Sequence, residues 1–146
     1  MLSESRLRQD LQAAMKARDM PTVYVLRGVL AAVTNRRIEI GGAELPEQEI
    51  LALLQREARK REEAEAFARD AGRAELVAQN AGERAILARY LPRPLEDAEL
   101  ANLLRSWVAE GVSGIGPLMA RLKELHPGQY DGKRASEIAR KILAAG

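Results

Sequence analysis

Apolar residues recur along this chain at the three- and four-residue spacing of helices, and the periods break at proline and glycine. Leu7, Leu11, Ala14 and Met15 form one stripe, which predicts a first helix from about Ser3 to Arg18, ended by Asp19-Met20-Pro21. Val23, Leu26, Leu30 and Val33 form a second stripe over about Thr22 to Ile38, widened by Val25 and Val29. Gly28 falls inside it at a cost of about 1 kcal/mol relative to Ala, so a close helix crossing is expected to compensate there. Arg36 and Arg37 occupy the last turn, where cations suit the negative end of the helix dipole.

After Gly41-Gly42, Pro46 followed by Glu47 and Glu49 reads as a helix start. The third helix is predicted from Pro46 to Ala71. Ile50, Leu51, Leu53 and Leu54 give its first half an apolar face, whereas residues 55–70 hold five basic and five acidic residues. Pairs four apart, such as Glu57 with Arg61 and Glu65 with Arg69, support that second half. Gly72 supplies the turn. A fourth helix, about Arg73 to Tyr90, presents Val77, Ala81, Arg84, Ala88 and Leu91 as a seam against the third. Residues 46–90 thus predict a long antiparallel hairpin with its tip near Ala71-Gly72.

The pattern changes at Tyr90-Leu91-Pro92-Arg93-Pro94-Leu95. Two prolines one residue apart cannot lie inside one helix, because each lacks an amide donor and disfavours helical geometry in the residue before it. Beyond them the segments are shorter: Leu100, Leu103, Leu104 and Trp107 on one face, a helix opened by Pro117, and a last helix capped by Asp131 with Ile138, Ile142 and Leu143 facing inward. The fold class expected is all-α. A four-helix domain with a long hairpin spans 1–91, and a small three-helix domain spans 92–146.

Composition narrows this picture without changing it. Apolar residues at 47% suffice for a packed core, while aromatics at 3% favour helices packed through Ala and Leu over a β-sandwich. The absence of cysteine excludes disulfides, thiolate catalysis and cysteine-based metal sites. The formal charge is only +2, but the cations are unevenly placed. Residues 1–37 hold seven Lys/Arg against three Asp/Glu, and residues 121–141 hold six against three. No apolar run reaches the roughly 20 residues of a membrane-spanning helix, and the charged start MLSESRLRQDL lacks the apolar stretch of a signal peptide, so a soluble cytoplasmic protein is expected.

Candidate chemistry is sparse. His126 is the single histidine and precedes a Pro-Gly turn, where a helix-end role suits it better than metal ligation; neither a metal nor a cofactor is expected. A Ser-His-acid triad would have to join His126 to Ser113 or Ser136 without any recognisable setting. No Gly-rich phosphate loop is present. What remains is the start of the last helix. Lys133 and Arg134 stand in its first turn, against the dipole, and with Lys123, Arg140 and Lys141 they form a candidate patch for a nucleic-acid backbone. Ordinary solubilising charge is the competing explanation. Scarce aromatics argue against stacking of single-stranded bases and leave shape-level contact with a folded RNA.

The ordered set YLPRPLEDAEL (90–100), LRQDLQAAMKARD (7–19), VLRGVLAAVTNRRIEI (25–40), LQREARKREEAEAF (54–67) and DGKRASEIARKIL (131–143) resembles the YqeY-like family, also called GatB/YqeY. The resemblance covers essentially the whole chain. It implies a four-helix domain followed by a tail similar to the C-terminal domain of the GatB component of the glutamine-dependent tRNA amidotransferase, a domain that contacts tRNA. It also implies an association with carbon–nitrogen ligase activity that uses glutamine as amide donor. The amidase Ser-Ser-Lys arrangement and the acyl-activating domain are absent from this sequence. Pro117 and Gln129 stand where the family pattern has lysines. The function expected is therefore a non-catalytic accessory protein whose partner is tRNA or a tRNA-amidotransferase assembly. The alternative is a protein–protein adaptor acting through the 46–90 hairpin.

Overall fold

A computed structural model describes residues Met1–Gly146. All regular structure is helical: α1 (Glu4–Lys16), α2 (Met20–Glu39), α3 (Glu47–Asp70), α4 (Ala74–Ala88), α5 (Asp97–Ala109), α6 (Ile115–Leu125) and α7 (Gly132–Ala145). The chain divides into two compact units, Met1–Leu91 and Pro92–Gly146, each with its own core. No helix is long and apolar enough to cross a membrane.

In the first unit the helix ends are set by local chemistry. The Ser3 hydroxyl accepts a hydrogen bond from the Arg6 amide (3.2 Å), which caps α1. Arg18 ends α1 in the left-handed region (φ 56°), the one non-glycine residue to adopt it. The break predicted at Asp19-Met20-Pro21 thus begins one residue earlier, without a glycine to announce it. Asp19 then caps α2 by accepting from the Thr22 amide (3.4 Å) and hydroxyl (2.7 Å), so α2 starts two residues before the predicted position, with Pro21 in its first turn. Val25, Leu26, Val29, Leu30 and Val33 of α2 pack with Leu7, Ile50, Leu54, Ile86 and Leu87.

Gly28 corrects an expectation. It lies exposed, and no heavy atom outside its own stretch of helix comes within 4 Å of where its Cβ would stand, so no helix crosses there. The seam predicted on α4 holds at Val77, Ala81, Arg84 and Leu91, which are half-buried, with Arg84 bonded to Glu65 of α3, and is corrected at Ala88. Ala88 is exposed, and the buried anchors of α4 are Ile86 and Leu87. Adjacent positions are buried because the end of α4 packs against α2 as well as α3.

The outer part of the α3–α4 hairpin buries few apolar side chains and is joined by charge. Glu65 is buried, with its carboxylate oxygens bonded to Arg69 of α3 (3.1 Å) and Arg84 of α4 (2.7 Å). Arg61 likewise bonds Glu57 (2.7 Å) and approaches Glu83 of α4 (3.9 Å). At the other end, the Tyr90 hydroxyl donates to Asp10 Oδ2 (2.7 Å), tying the exit from α4 to α1. Burial and the Asp10 carboxylate push the Tyr90 hydroxyl up to about 12, so the phenol stays protonated and keeps donating.

In the second unit, Leu100, Leu104, Trp107, Leu118, Leu122, Ala135 and Ala139 form the core. Trp107 is its anchor, as the sequence predicts, with the Arg121 guanidinium 5.6 Å from its ring centroid. His126 occupies the C-terminal end of α6, its expected helix-end place. Helix α6 itself starts at Ile115, two residues before the predicted proline start. The Gln129 side chain donates to the Arg93 carbonyl (3.0 Å) and faces His126 Nδ1 (3.1 Å), while the Gln129 carbonyl accepts from the Leu95 amide (2.7 Å). This clip holds the Pro-rich segment against the turn after α6. Arg93 makes two 2.9 Å bonds to Glu99, whose carboxylate also accepts from the Glu96 amide.

The open setting of Gly28 and the bonding of Glu99 can each be tested by melting. Gly28→Ala meets no steric barrier and is expected to stabilise the protein by about 1 kcal/mol, raising the melting midpoint of a unit this size by about 4–8 °C; a lowered midpoint would contradict the open setting. Hydrogen bonds from Arg93 and then the Glu96 amide hold Glu99 at about 2, below its ordinary 4.5. Because the folded value is the lower one, the stabilisation is complete above pH 4.5 and disappears as pH falls toward 2. The difference in melting midpoint between wild type and Glu99→Gln should therefore be largest above pH 4.5 and close by pH 2; a pH-independent difference would refute the assignment.

Candidate nucleic-acid interface

Helix α7 owes its orientation to its sequence. Ala135 and Ala139, four residues apart, are completely buried against the core, and Ile138, Ile142 and Leu143 pack half-buried beside them. The opposite face carries Lys133, Arg140 and Lys141, all exposed. Asp131 caps the helix by accepting from the Arg134 amide (3.3 Å), as the sequence predicts, so its amide end already meets a carboxylate.

Arg134 behaves differently from its neighbour Lys133. Its guanidinium makes two bonds to Asp97 Oδ2 of α5, 2.8 Å from Nη2 and 3.1 Å from Nε, and a third to Glu137 (3.3 Å). These bonds hold the Asp97 carboxyl below the usual carboxylate range. Two acids therefore balance the one cation, and Glu137, which lies among Lys133, Arg140 and Lys141, is turned to Arg134. The place of Lys133 and Arg134 in a first turn, electrostatically adverse by sequence, is offset by Asp97, Asp131 and Glu137.

Asp97 and Arg134 are both in first turns, so α5 and α7 start together and run parallel. Their far ends enclose a shallow groove of about 430 Å³ lined by Arg105, Val108 and Ala109 of α5 and Lys141, Ile142 and Ala145 of α7. Arg105 is exposed and bonds only the neutral Asn102 side chain (3.4 Å). It thus joins Lys141 at the rim of one groove, a partnership that sequence spacing does not reveal because the two stand 36 positions apart in the chain.

Of the five candidate cations, the structure gathers Lys133, Arg140 and Lys141 on one face, turns Arg134 into the α5 contact, and leaves Lys123 on a different helix. Lys123 is exposed in the last turn of α6, where a cation complements the dipole. The two positions where the family pattern has lysines have other tasks. Pro117 lies in the first turn of α6, and Gln129 is the clip described above. No group of three or more His, Asp or Glu side chains gathers where a metal ion could sit. The His126 Nδ1 meets the Gln129 amide oxygen and not a carboxylate.

No curated protein matches the chain. The family model described as "Yqey-like protein" matches residues 4–143, from the first turn of α1 to the last turns of α7. The chain belongs to the YqeY-like family.

Proposed function

We propose that this protein is a non-catalytic, RNA-associated accessory module that grips the phosphate backbone of a folded RNA through the outer face of α7. The observation that carries the proposal is the division of charge in the second unit. Asp97 and Glu137 are spent on Arg134, which leaves Lys133, Arg140, Lys141 and, across the groove, Arg105 facing solvent without a carboxylate partner. Flexible, unpaired cations along a helix suit phosphates, which bind by charge. The absence of aromatic side chains on this face suits contact with a folded backbone better than stacking of loose bases. Family resemblance makes tRNA, free or within a tRNA-amidotransferase assembly, the RNA to test first. The chemistry of such an assembly belongs to its other components. An adaptor acting through the 46–90 hairpin is the second reading, supported by Phe67, which is 77% exposed near the hairpin tip.

If all four cations contact phosphates, the logarithm of tRNA affinity should fall with the logarithm of salt concentration at a slope of about −3 to −4, and each of Lys133→Ala, Arg140→Ala and Lys141→Ala should reduce the slope by about 1. Arg134→Ala, which frees Asp97 and Glu137 to pair with the remaining cations, should weaken tRNA binding as well, with little change in the melting midpoint. Retention of tRNA that is indifferent to salt and to these substitutions would remove the RNA assignment and favour the hairpin adaptor.

A further inference from the structure

The α3–α4 hairpin reaches well past the core it grows from. On α3 the last residue packed on that core is Ala58, and on α4 the first buried one is Ile86. Between them Ala68 is the only buried apolar side chain. Helix α3 nevertheless continues from Ala58 to Asp70, about 18 Å. Glu65, held by Arg69 and Arg84, and Arg61, bonded to Glu57 and close to Glu83, brace the two helices over this stretch. The extension is thus held firm by charge, and what it carries outward is its tip.

Phe67, the single phenylalanine of the chain, stands there 77% exposed. Ala64, Ala66 and Ala71 around it are exposed too. Helical spacing puts Glu63 and Asp70, four residues before and three after, on the same face as the ring, and both are exposed. Asp70 ends α3, where a carboxylate opposes the helix dipole. No cation relieves it: Arg69 is bonded to Glu65, and Arg73 is not in ion-pair range. The charge of the whole tip has the same sign. Residues 62–75 hold five acids and two bases, and counting Arg84, which reaches Glu65 from α4, still leaves the acids two in excess. Lower on α3, Lys60 and Arg61 are both bonded to Glu57.

We infer that this tip docks into another protein, the Phe67 ring filling an apolar pocket and Glu63 and Asp70 meeting basic residues at its rim. The inference rests on the reading of the hairpin as an adaptor, and it names the contact residues and the chemistry of the partner. An aromatic ring offers a large contact area for few rotatable bonds, and the carboxylates that frame it select a basic rim. The same excess of acid repels a nucleic-acid backbone, so this end of the molecule is not part of an RNA interface. A second copy of this chain offers the α5–α7 groove between Arg105 and Lys141. A tip-to-groove contact is heterologous, however, and extends into open filaments unless its rotation closes a ring.

A photo-reactive benzoylphenylalanine placed in the full chain at position 67, and in a second sample at the exposed Gln79 on α4, tests this in extract of the source cells. Position 67 should cross-link to a protein at an apolar site flanked by Lys or Arg. The affinity of that protein, once purified, should fall at least about tenfold with Phe67→Ala. It should also fall with Glu63→Lys and Asp70→Lys, and the loss from these two should shrink as salt is raised. Asp70→Lys places a cation at the negative end of α3, so it should melt no lower than wild type while binding less well, a combination that a structural role for Asp70 does not produce. Cross-linking from position 79 alone would overturn this inference and leave the hairpin adaptor standing, whereas none from either position would remove both. Cross-links from position 67 to RNA or to a second copy of the chain, a captured site without basic residues, or full affinity for Phe67→Ala would each overturn the inference. Retention of tRNA by these variants should match wild type, so the RNA reading is tested separately.

Discussion

The complete burial of Ala135 and Ala139 constrains most of what the second unit can present to a partner. Alanines at these two positions let α7 lie close against the core formed by Leu100, Leu104, Trp107, Leu118 and Leu122. Once that face is committed inward, the period of the helix sends Lys133, Arg140 and Lys141 outward. The parallel course of α5 beside α7 then brings Arg105 to the groove that Lys141 lines. The Arg134–Asp97 bonds fix the register at one end, yet this exposed pair contributes little to stability next to the burial of the core. Its main consequence is electrostatic: it removes Asp97 and Glu137 from competition for the other cations.

The same accounting applies to the first unit. The chain has 23 cations and 21 anions, so a count of charges says nothing about partners, and the information lies in which charges remain unpaired. Glu4 and Glu65 are buried, and each is held by two arginines, Arg8 with Arg37 and Arg69 with Arg84. A buried carboxylate stripped of those partners would destabilise the fold, so these arginines are structural. Arg36 is likewise bonded to Glu39 and Glu49. Arg27 and Arg89 have no such task.

What is legible in the sequence depends on how far each signal reaches. The seven helices are visible because their stripes repeat within one turn, and the Asp131 cap is visible because a capping side chain acts three residues away. The pairing of Glu57 with Arg61 and of Glu65 with Arg69 is visible for the same reason. Arg18 ends α1 in a conformation that its residue type does not advertise. Gly28 misleads because glycine reveals that a backbone can be approached, not what approaches it. Ala88 misleads because Ile86 and Leu87 answer to two helices at once. For the candidate site, the outward face of α7 is legible from its own period, but the diversion of Arg134 to Asp97 and the arrival of Arg105 depend on contacts made across more than 30 residues.

If unpaired cations on the outer face of α7 hold a folded RNA, mapping amide chemical shifts of the full chain during titration with tRNA tests it most directly. The perturbed amides should cluster at 133, 137, 140 and 141 on α7 and at Arg105 on α5, with residues 1–91 unmoved. Shifts confined to residues 1–91, or none at saturating tRNA, would contradict it.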